Sequence, residues 1–122
     1  MIKVLIIEDD ALLIRLYASE LKKAGYESTP VLNGQEGLLK ILEGGWALIL
    51  LDIMLPQMDG ITILTQLKSK SPKVANGPIV VMTNLDSKET AAKALGLGAI
   101  EYIEKDQITP RELAEKVKIW LK

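Results

Sequence analysis

Five short apolar runs alternate along this chain of 122 residues with five segments whose apolar residues recur at helical spacing. We predict strands over residues 3–7, 26–31, 47–51, 79–82 and 99–103. The third run is wholly apolar, as expected of a strand covered on both faces, and the second is more polar, as expected near a sheet edge. Because right-handed crossovers place helices on both sides of a parallel sheet, the alternation predicts a single doubly wound α/β domain of the (βα)5 type.

The predicted helices begin and end at recognisable capping residues. Polar residues open four of them: Asp10, Asn33, Ser87 and Thr109. Thr109 also starts a capping box, with Pro110 at the first helical position. Asp59 is expected to cap the third helix, over about 61–70, and the segment 73–77 to be a surface connection. We expect the first helix to turn four leucines inward: Leu12, Leu13, Leu16 and Leu21.

Polar residues stand where four of the predicted strands end. Glu8 and Asp9 follow the first strand, Asp52 the third, and Thr83 the fourth, while Lys105 lies just beyond the fifth. The carboxyl ends of parallel strands form one edge of the sheet, where open α/β folds bind their ligands. The sequence therefore predicts that these five side chains share one site.

Three acids at that edge point to a divalent cation. Neighbouring carboxylates repel one another unless a cation lies among them, and Mg²⁺ prefers oxygen ligands, with Mn²⁺ as an alternative. We expect Asp9 and Asp52 to bind the ion directly, Glu8 to act through a water or a second shell, and the backbone carbonyl of Met54 to be a third ligand. Helix capping is the competing explanation, but Asp10 alone is sufficient for that role.

Asp52 is the best candidate for a nucleophile. A carboxylate can attack a phosphoryl donor and form an acyl phosphate, whereas an ordinary strand-end Asp only caps a turn. The following loop from Pro56 to Gly60 favours the first interpretation, because proline and glycine would hold the carboxylate at the rim. Lys105 could pair with Asp52 and neutralise charge during transfer, or be a solvated surface lysine. The hydroxyl of Thr83 could bond a phosphate oxygen or local backbone.

Composition excludes several classes of chemistry. The chain has no histidine and no cysteine, which excludes an imidazole base, a Ser-His-Asp triad, thiolate ligands and disulfides within it. The formal net charge of −1 gives no bulk attraction to nucleic acid or to an anionic membrane. No apolar stretch is long enough to span a bilayer and no signal peptide is apparent, so a cytoplasmic location is expected.

With these residues placed, the chain resembles the response-regulator receiver domain of bacterial two-component signalling from residue 3 to about 121. The resemblance rests on motifs that occur in order: the pair Glu8-Asp9, Asp52 within Leu-Asp-Ile-Met-Leu-Pro-Gln-Met-Asp-Gly, Thr83, and Lys105. It implies a flavodoxin-like fold with strand order 2-1-3-4-5.

The resemblance also implies a mechanism. A sensor histidine kinase or a histidine phosphotransfer protein would pass a phosphoryl group to Asp52, with Mg²⁺ held by Asp9, Asp52 and the Met54 carbonyl. Lys105 and Thr83 would contact the phosphoryl oxygens. Thr83 would then move toward the phosphate and Tyr102 rotate inward, although Tyr102 could be an ordinary strand tyrosine. This change would alter the surface of the fourth helix, fifth strand and fifth helix for a partner or for a homodimer. The chain would act on itself only, and not as an enzyme on other substrates.

The sequence departs from the family pattern at four positions. Asn84 stands where a small residue is usual, and Asp106 where proline is usual. Met54 and Leu85 are apolar at positions that tune hydrolysis in the family, which would hinder placement of an attacking water. We therefore predict a comparatively long-lived phosphoryl group.

Three other interpretations compete with this one. The first is that residues 1–122, which we expect to form one receiver domain without an output domain or DNA-binding motif, are the receiver half of a longer regulator and not a stand-alone receiver. A phosphatase of the haloacid-dehalogenase type also uses a strand-end Asp, but it needs a second Asp where Met54 stands, and a cap domain. A degenerate receiver would bind partners without phosphorylation, which the retained Asp9, Asp52, Thr83 and Lys105 disfavour.

Overall fold

The computed structural model describes residues 2–85 and 87–122, and within them five strands alternate with five α-helices. The strands are β1 Lys3–Ile7, β2 Glu27–Val31, β3 Leu48–Asp52, β4 Ile79–Thr83 and β5 Glu101–Glu104. The helices are α1 Ala11–Lys23, α2 Gly34–Glu43, α3 Gly60–Leu67, α4 Lys88–Gly96 and α5 Pro110–Trp120, with a 3₁₀ turn at Lys105–Gln107. All strand pairs are parallel, in the order β2-β1-β3-β4-β5. The predicted doubly wound fold and its strand order are confirmed.

The burial of each strand follows its place in the sheet. All five residues of β3, in the middle, are buried. The edge strand β2 is mostly exposed or half-buried and contains Pro30, which has no N–H to donate to a neighbouring strand. The predicted position of the more polar strand at the edge is therefore correct.

Side chains that alternate along each strand form two core layers. Leu5 and Ile7 of β1 face the layer that contains α2, α3 and part of α4, whereas Val4 and Ile6 face the layer of α1 and α5. Both layers are closed by helices, so the sheet is covered on both faces. No helix among the described residues is long and apolar enough to cross a membrane.

The predicted inward face of α1 was partly wrong. The helix buries Ile14, Tyr17 and Leu21, while Leu12 and Leu16 are 61% and 43% exposed. Residues two positions apart on a helix point about 200° apart, so burying Ile14 turns both leucines to solvent. The spacing of Ile14, Tyr17 and Leu21 defines the buried face, and residue type alone does not identify it.

The caps predicted for the helices are present. Asp10, Asn33, Asp59, Ser87 and Thr109 each accept a backbone N–H of the helix that follows, and Thr109 forms the complete capping box with Glu112. Helix α3 ends at Leu67, earlier than predicted.

The segment 73–77 is more than a surface connection. The side chain of Asn76 accepts the N–H of Trp46 and donates to the carbonyl of Ile41, at 3.1 and 2.9 Å. The N–H of Gly77 donates to the Trp46 carbonyl at 2.7 Å. These bonds join the end of α2 to the start of β3, at the end of the sheet opposite the predicted site.

Candidate functional site

The carboxyl edge of the sheet brings the five predicted residues together. Asp52 and Thr83 are the last residues of β3 and β4, Glu8 and Asp9 follow β1, and Lys105 opens the 3₁₀ turn after β5. Glu8, Asp52 and Thr83 are buried, whereas Asp9 is exposed. Because charged groups are rarely buried without a partner, the buried carboxylates of Glu8 and Asp52 are expected to have a cation beside them.

Lys105 provides the partner for two of the buried acids. Its Nζ lies 2.7 Å from Oε1 of Glu8 and 2.9 Å from Oδ2 of Asp52, and its side chain is only 8% exposed. The second oxygen of Glu8 accepts the N–H of Asp10 at 3.1 Å. Lys105 is therefore a buried bridge between two strand ends and not a solvated surface lysine. Its pairing with Glu8 was not predicted from the sequence.

Three acids share one lysine at this bridge. Burial raises the pKa of Glu8 and the nearby Asp52 charge adds to this, although hydrogen bonds from Lys105 and from the N–H of Asp10 oppose it. Burial alone would lower the pKa of Lys105, but its hydrogen bonds to Glu8 and Asp52 outweigh that effect and raise it. Lys105 therefore remains a cation at neutral pH. With Asp9 included, three carboxylates face one ammonium group.

The three carboxylates suit a hard divalent cation. Glu8, Asp9 and Asp52 each offer an oxygen, and these oxygens all lie within 4.8 Å of one another. Such oxygen donors match Mg²⁺, and the exposure of Asp9 leaves the group open to solvent on one side. The remaining oxygen of Asp52, Oδ1, accepts the N–H of Met54 at 3.2 Å, so the residue predicted to offer a carbonyl ligand is directly beside Asp52.

The loop after β3 is fixed at its junction with α3. The N–H of Gly60 donates to the carbonyl of Ile53 at 2.8 Å, and Asp59 caps α3 by accepting the N–H of Thr62 at 2.8 Å. A β-carbon at position 60 would lie 2.6 Å from the carbonyl oxygen of Asp52, which leaves room for glycine only. The backbone of Asp52 is thus packed directly against the start of α3.

The two residues predicted to switch both contact Leu85. Its N–H donates to Oγ1 of Thr83 at 3.2 Å, and its carbonyl accepts the hydroxyl of Tyr102. The ring of Tyr102 is half-buried against the core layer on the side of α2–α4. Thr83 and Tyr102 are therefore connected through one loop residue. Asn84 and Asp106, which depart from the family pattern, are both exposed.

Tyr17 is near the site but was not predicted to be there. It lies on α1 and lines a small cavity together with Glu8, Asp52 and Met82. Burial raises its pKa to about 12. Its position three residues after Ile14 could have predicted that Tyr17 lies on the buried face of α1.

Comparisons with known proteins agree on one family. The family described as response regulator receiver domain matches residues 4–118. The chain is 36% identical over 102 residues to the transcriptional regulatory protein YkoG of Bacillus subtilis, a match that covers 84% of this chain and 43% of that protein. The chain thus spans less than half the length of this relative.

Two solved structures show the same fold along nearly the whole chain. One is a CheY-like receiver domain protein of Methanospirillum hungatei, at 32% identity and a TM-score of 0.86, covering 99% of this chain and 94% of that one. The other is the BeF3-activated N-terminal receiver domain of Klebsiella pneumoniae RstA, at 32% identity and a TM-score of 0.84, covering 98% of each chain.

Proposed function

Because the chain belongs to the family of response regulator receiver domains, we propose that Asp52 accepts a phosphoryl group from a partner and that this modification changes a signalling surface. The observation that carries the proposal is the buried bridge of Lys105 to Glu8 and Asp52. A strand-end aspartate that only capped a turn would not need a buried cation 2.9 Å from its carboxylate.

The phosphoryl donor that fits this chain is a phosphohistidine on a sensor histidine kinase or a histidine phosphotransfer protein. The chain has no histidine, so the imidazole must come from the partner. A carboxylate oxygen of Asp52 forms a bond to phosphorus while the donor's phosphorus–nitrogen bond breaks, and the imidazole leaves with that electron pair. The product is an acyl phosphate on Asp52.

A divalent cation would occupy the acidic group during this transfer. Asp9 and Asp52 would hold Mg²⁺, or alternatively Mn²⁺, with the backbone carbonyl of Met54 as a third ligand and Glu8 acting through a water. When bound, the ion supplies positive charge to the phosphoryl oxygens. The proximity of the three carboxylates supports this assignment, since a cation offsets their repulsion.

Lys105 and Thr83 would stabilise the phosphoryl group. Lys105 already lies against Asp52 and needs only to shift its ammonium from the carboxylate to a phosphoryl oxygen. Thr83 accepts the Leu85 N–H with its oxygen, which leaves its one hydroxyl proton available for donation to the phosphate. Movement of Thr83 would then displace Leu85 and, through the Leu85 carbonyl, Tyr102.

The output surface would be formed by α4, β5 and α5, where Tyr102 lies. A partner or a second copy of the chain would read the change there. We further propose that residues 1–122 form one receiver domain, that this domain does not contact nucleic acid itself, and that its only chemistry is its own phosphorylation and dephosphorylation. A cytoplasmic location remains a prediction.

Intact mass measurement tests the proposal. The protein is incubated with Mg²⁺ and acetyl phosphate, with EDTA in a parallel sample, and compared with Asp52→Asn and with Asp59→Asn, an acid of the same loop that only caps α3. We expect one added phosphoryl group on the wild type and on Asp59→Asn, dependent on Mg²⁺, and none on Asp52→Asn. A wild type that binds Mg²⁺ but acquires no phosphoryl group would instead indicate a degenerate receiver.

A further inference from the structure

The first turn of α2 contacts both segments that carry the acidic site. The N–H of Gly34 donates to the carbonyl of Pro56, in the loop after β3, at 3.2 Å. One turn later, a β-carbon at Gly37 would lie 2.8 Å from Cγ2 of Ile7, the last residue of β1 before the acid pair. A single helix end therefore lies against the loop that follows Asp52 and against the strand that precedes the acid pair.

Close approach, and not backbone conformation, requires glycine at position 34. Gly34 is absent from the described residues with positive φ, so its backbone is one that any residue can adopt. However, a β-carbon there would lie 1.6 Å from the carbonyl oxygen of Met58 and 2.6 Å from its carbonyl carbon. Neither atom is the end of a flexible side chain. Any side chain at position 34 must therefore push α2 and the loop apart.

The loop between β3 and α3 has two attachments, and Gly34 provides one of them. At the α3 end, Gly60 donates to the carbonyl of Ile53 at 2.8 Å. At its tip, the carbonyl of Pro56 accepts the N–H of Gly34 and also the N–H of Met58. Gln57, which lies between Pro56 and Met58 in the chain, has a left-handed φ of 70°. Such a backbone persists only where the surroundings enforce it. The residue whose carbonyl is the proposed third cation ligand, position 54, lies between the two attachments.

We propose that Gly34 is a positioning residue for the divalent-cation site. Because Gly34 has no side chain, the Met58 carbonyl can lie directly against α2. This contact fixes the distance between the loop after β3 and the end of β1, and that distance places the backbone of Met54 opposite Asp9. This inference rests on the proposed function, because it assumes that the acidic group binds Mg²⁺. It extends the site to a helix that carries none of its ligands.

A pair of glycine variants separates positioning from general destabilisation. In Gly34→Ala the new methyl group would meet the Met58 carbonyl, and in Gly77→Ala it would meet the carbonyl oxygen of Ala47 at 1.9 Å, at the opposite end of the sheet. Neither glycine has a positive φ, so neither substitution strains the backbone dihedral angles. The two substitutions differ mainly in their distance from the acidic site. Both should lower the denaturation midpoint in urea.

Only Gly34→Ala should change metal binding. Loss of a contact that orients a ligand commonly weakens metal affinity about 10–100-fold, so we expect its Kd for Mg²⁺, from calorimetric titration, to rise about tenfold or more. The Kd of Gly77→Ala should match that of the wild type. Unchanged affinity in Gly34→Ala, or equal weakening in both variants, would overturn the inference.

Amide hydrogen exchange tests the same relationship in the wild type, even if Gly34→Ala fails to fold. The N–H of Gly34 donates to Pro56, and the N–H of Gly77 donates to Trp46 at 2.7 Å. We expect saturating Mg²⁺ to slow exchange at Gly34 by a larger factor than at Gly77. Equal slowing would overturn the positioning role alone. A wild type that binds no Mg²⁺ would overturn the proposed cation site, and this inference with it.

Discussion

The ammonium nitrogen of Lys105 lies 2.9 Å from Oδ2 of Asp52, and both side chains are less than 10% exposed. The two residues are 53 positions apart in the chain, and only the parallel sheet brings their strand ends together. The pair is the centre of the site, because Glu8 shares the same ammonium group at 2.7 Å.

Replacing Lys105 with methionine should destabilise the fold strongly in the absence of metal. The substitution keeps most of the side-chain volume but leaves Glu8 and Asp52 buried without their cation. Removing one partner of a buried ion pair typically costs about 3–5 kcal/mol in the free energy of unfolding. Urea unfolding in EDTA measures the loss, with Lys118→Met, an exposed residue of α5, as the control. Equal stability of the two variants would show that the bridge is energetically unimportant.

Thr83→Ala should uncouple phosphorylation from the response of Tyr102. The substitution removes the hydroxyl that contacts the Leu85 N–H, and the loss of that bond should cost about 1 kcal/mol of unfolding free energy. Asp52 would still be labelled by acetyl phosphate, but the NMR resonances of the Tyr102 ring should shift less on labelling than in the wild type. Thr83→Ser retains the hydroxyl and should behave like the wild type. A full Tyr102 shift in Thr83→Ala would exclude Thr83 as the link.

Met54→Asn should shorten the lifetime of the phosphoryl group. Met54 is 59% exposed beside Asp52 and lines an open depression with Asp9 and Leu85. An amide at this position could orient the water that attacks the acyl phosphate, whereas a thioether cannot. Decay after removal of the donor, followed by intact mass, should be severalfold faster than in the wild type.

A surface control for that variant is Leu39→Asn, since Leu39 is similarly exposed, at 62%, on α2. Its decay rate should equal that of the wild type. If the wild-type phosphoryl group is itself lost within seconds, the apolar neighbours do not protect it, and the predicted long lifetime is wrong.

The capping box of α5 should make stability depend on acid pH. Hydrogen bonds from Thr109 lower the pKa of Glu112 below its usual 4.5. Because the pKa in the folded state is the lower one, this contribution is fully present above pH 4.5 and is lost as the pH falls through the folded value. Glu112→Gln retains a side-chain acceptor and removes the titration. The melting temperatures of the two proteins should therefore differ by a constant amount above pH 4.5 and converge as the pH falls below 4.5. A difference that persists unchanged into strong acid would contradict the assignment.

Much of the fold could be predicted because local signals agreed with the tertiary structure. Caps such as Asp10 and Thr109 fix helix starts through their own backbone bonds, so the sequence alone identifies them. The polar residues at the ends of β1, β3 and β4 could be assigned to one edge because strand-helix alternation implies a parallel sheet. The strand order itself came from the family resemblance.

The features that could not be predicted depend on long-range packing. Leu12 and Leu16 look as apolar as Leu21, and only the docking of α1 on the sheet turns them outward. The bond from Lys105 to Glu8 joins the ends of β5 and β1, which β3 and β4 separate in the sheet, and no local pattern encodes it. The contact of Gly34 with the loop after β3 could not be predicted either. This glycine does not serve a turn with positive φ, and the close approach that requires it depends on the packing of α2 against a distant loop.

Peptide mapping of the phosphorylated protein identifies the residue that carries the phosphoryl group. After labelling with acetyl phosphate and Mg²⁺, borohydride reduction converts the acyl phosphate into a stable residue that mass spectrometry can locate within a peptide. We predict that the modification lies at Asp52 alone and that chelation of Mg²⁺ abolishes it. Modification at Asp9 or Asp59 instead, or at several acids without preference, would contradict the assignment of Asp52 as the phosphoryl acceptor.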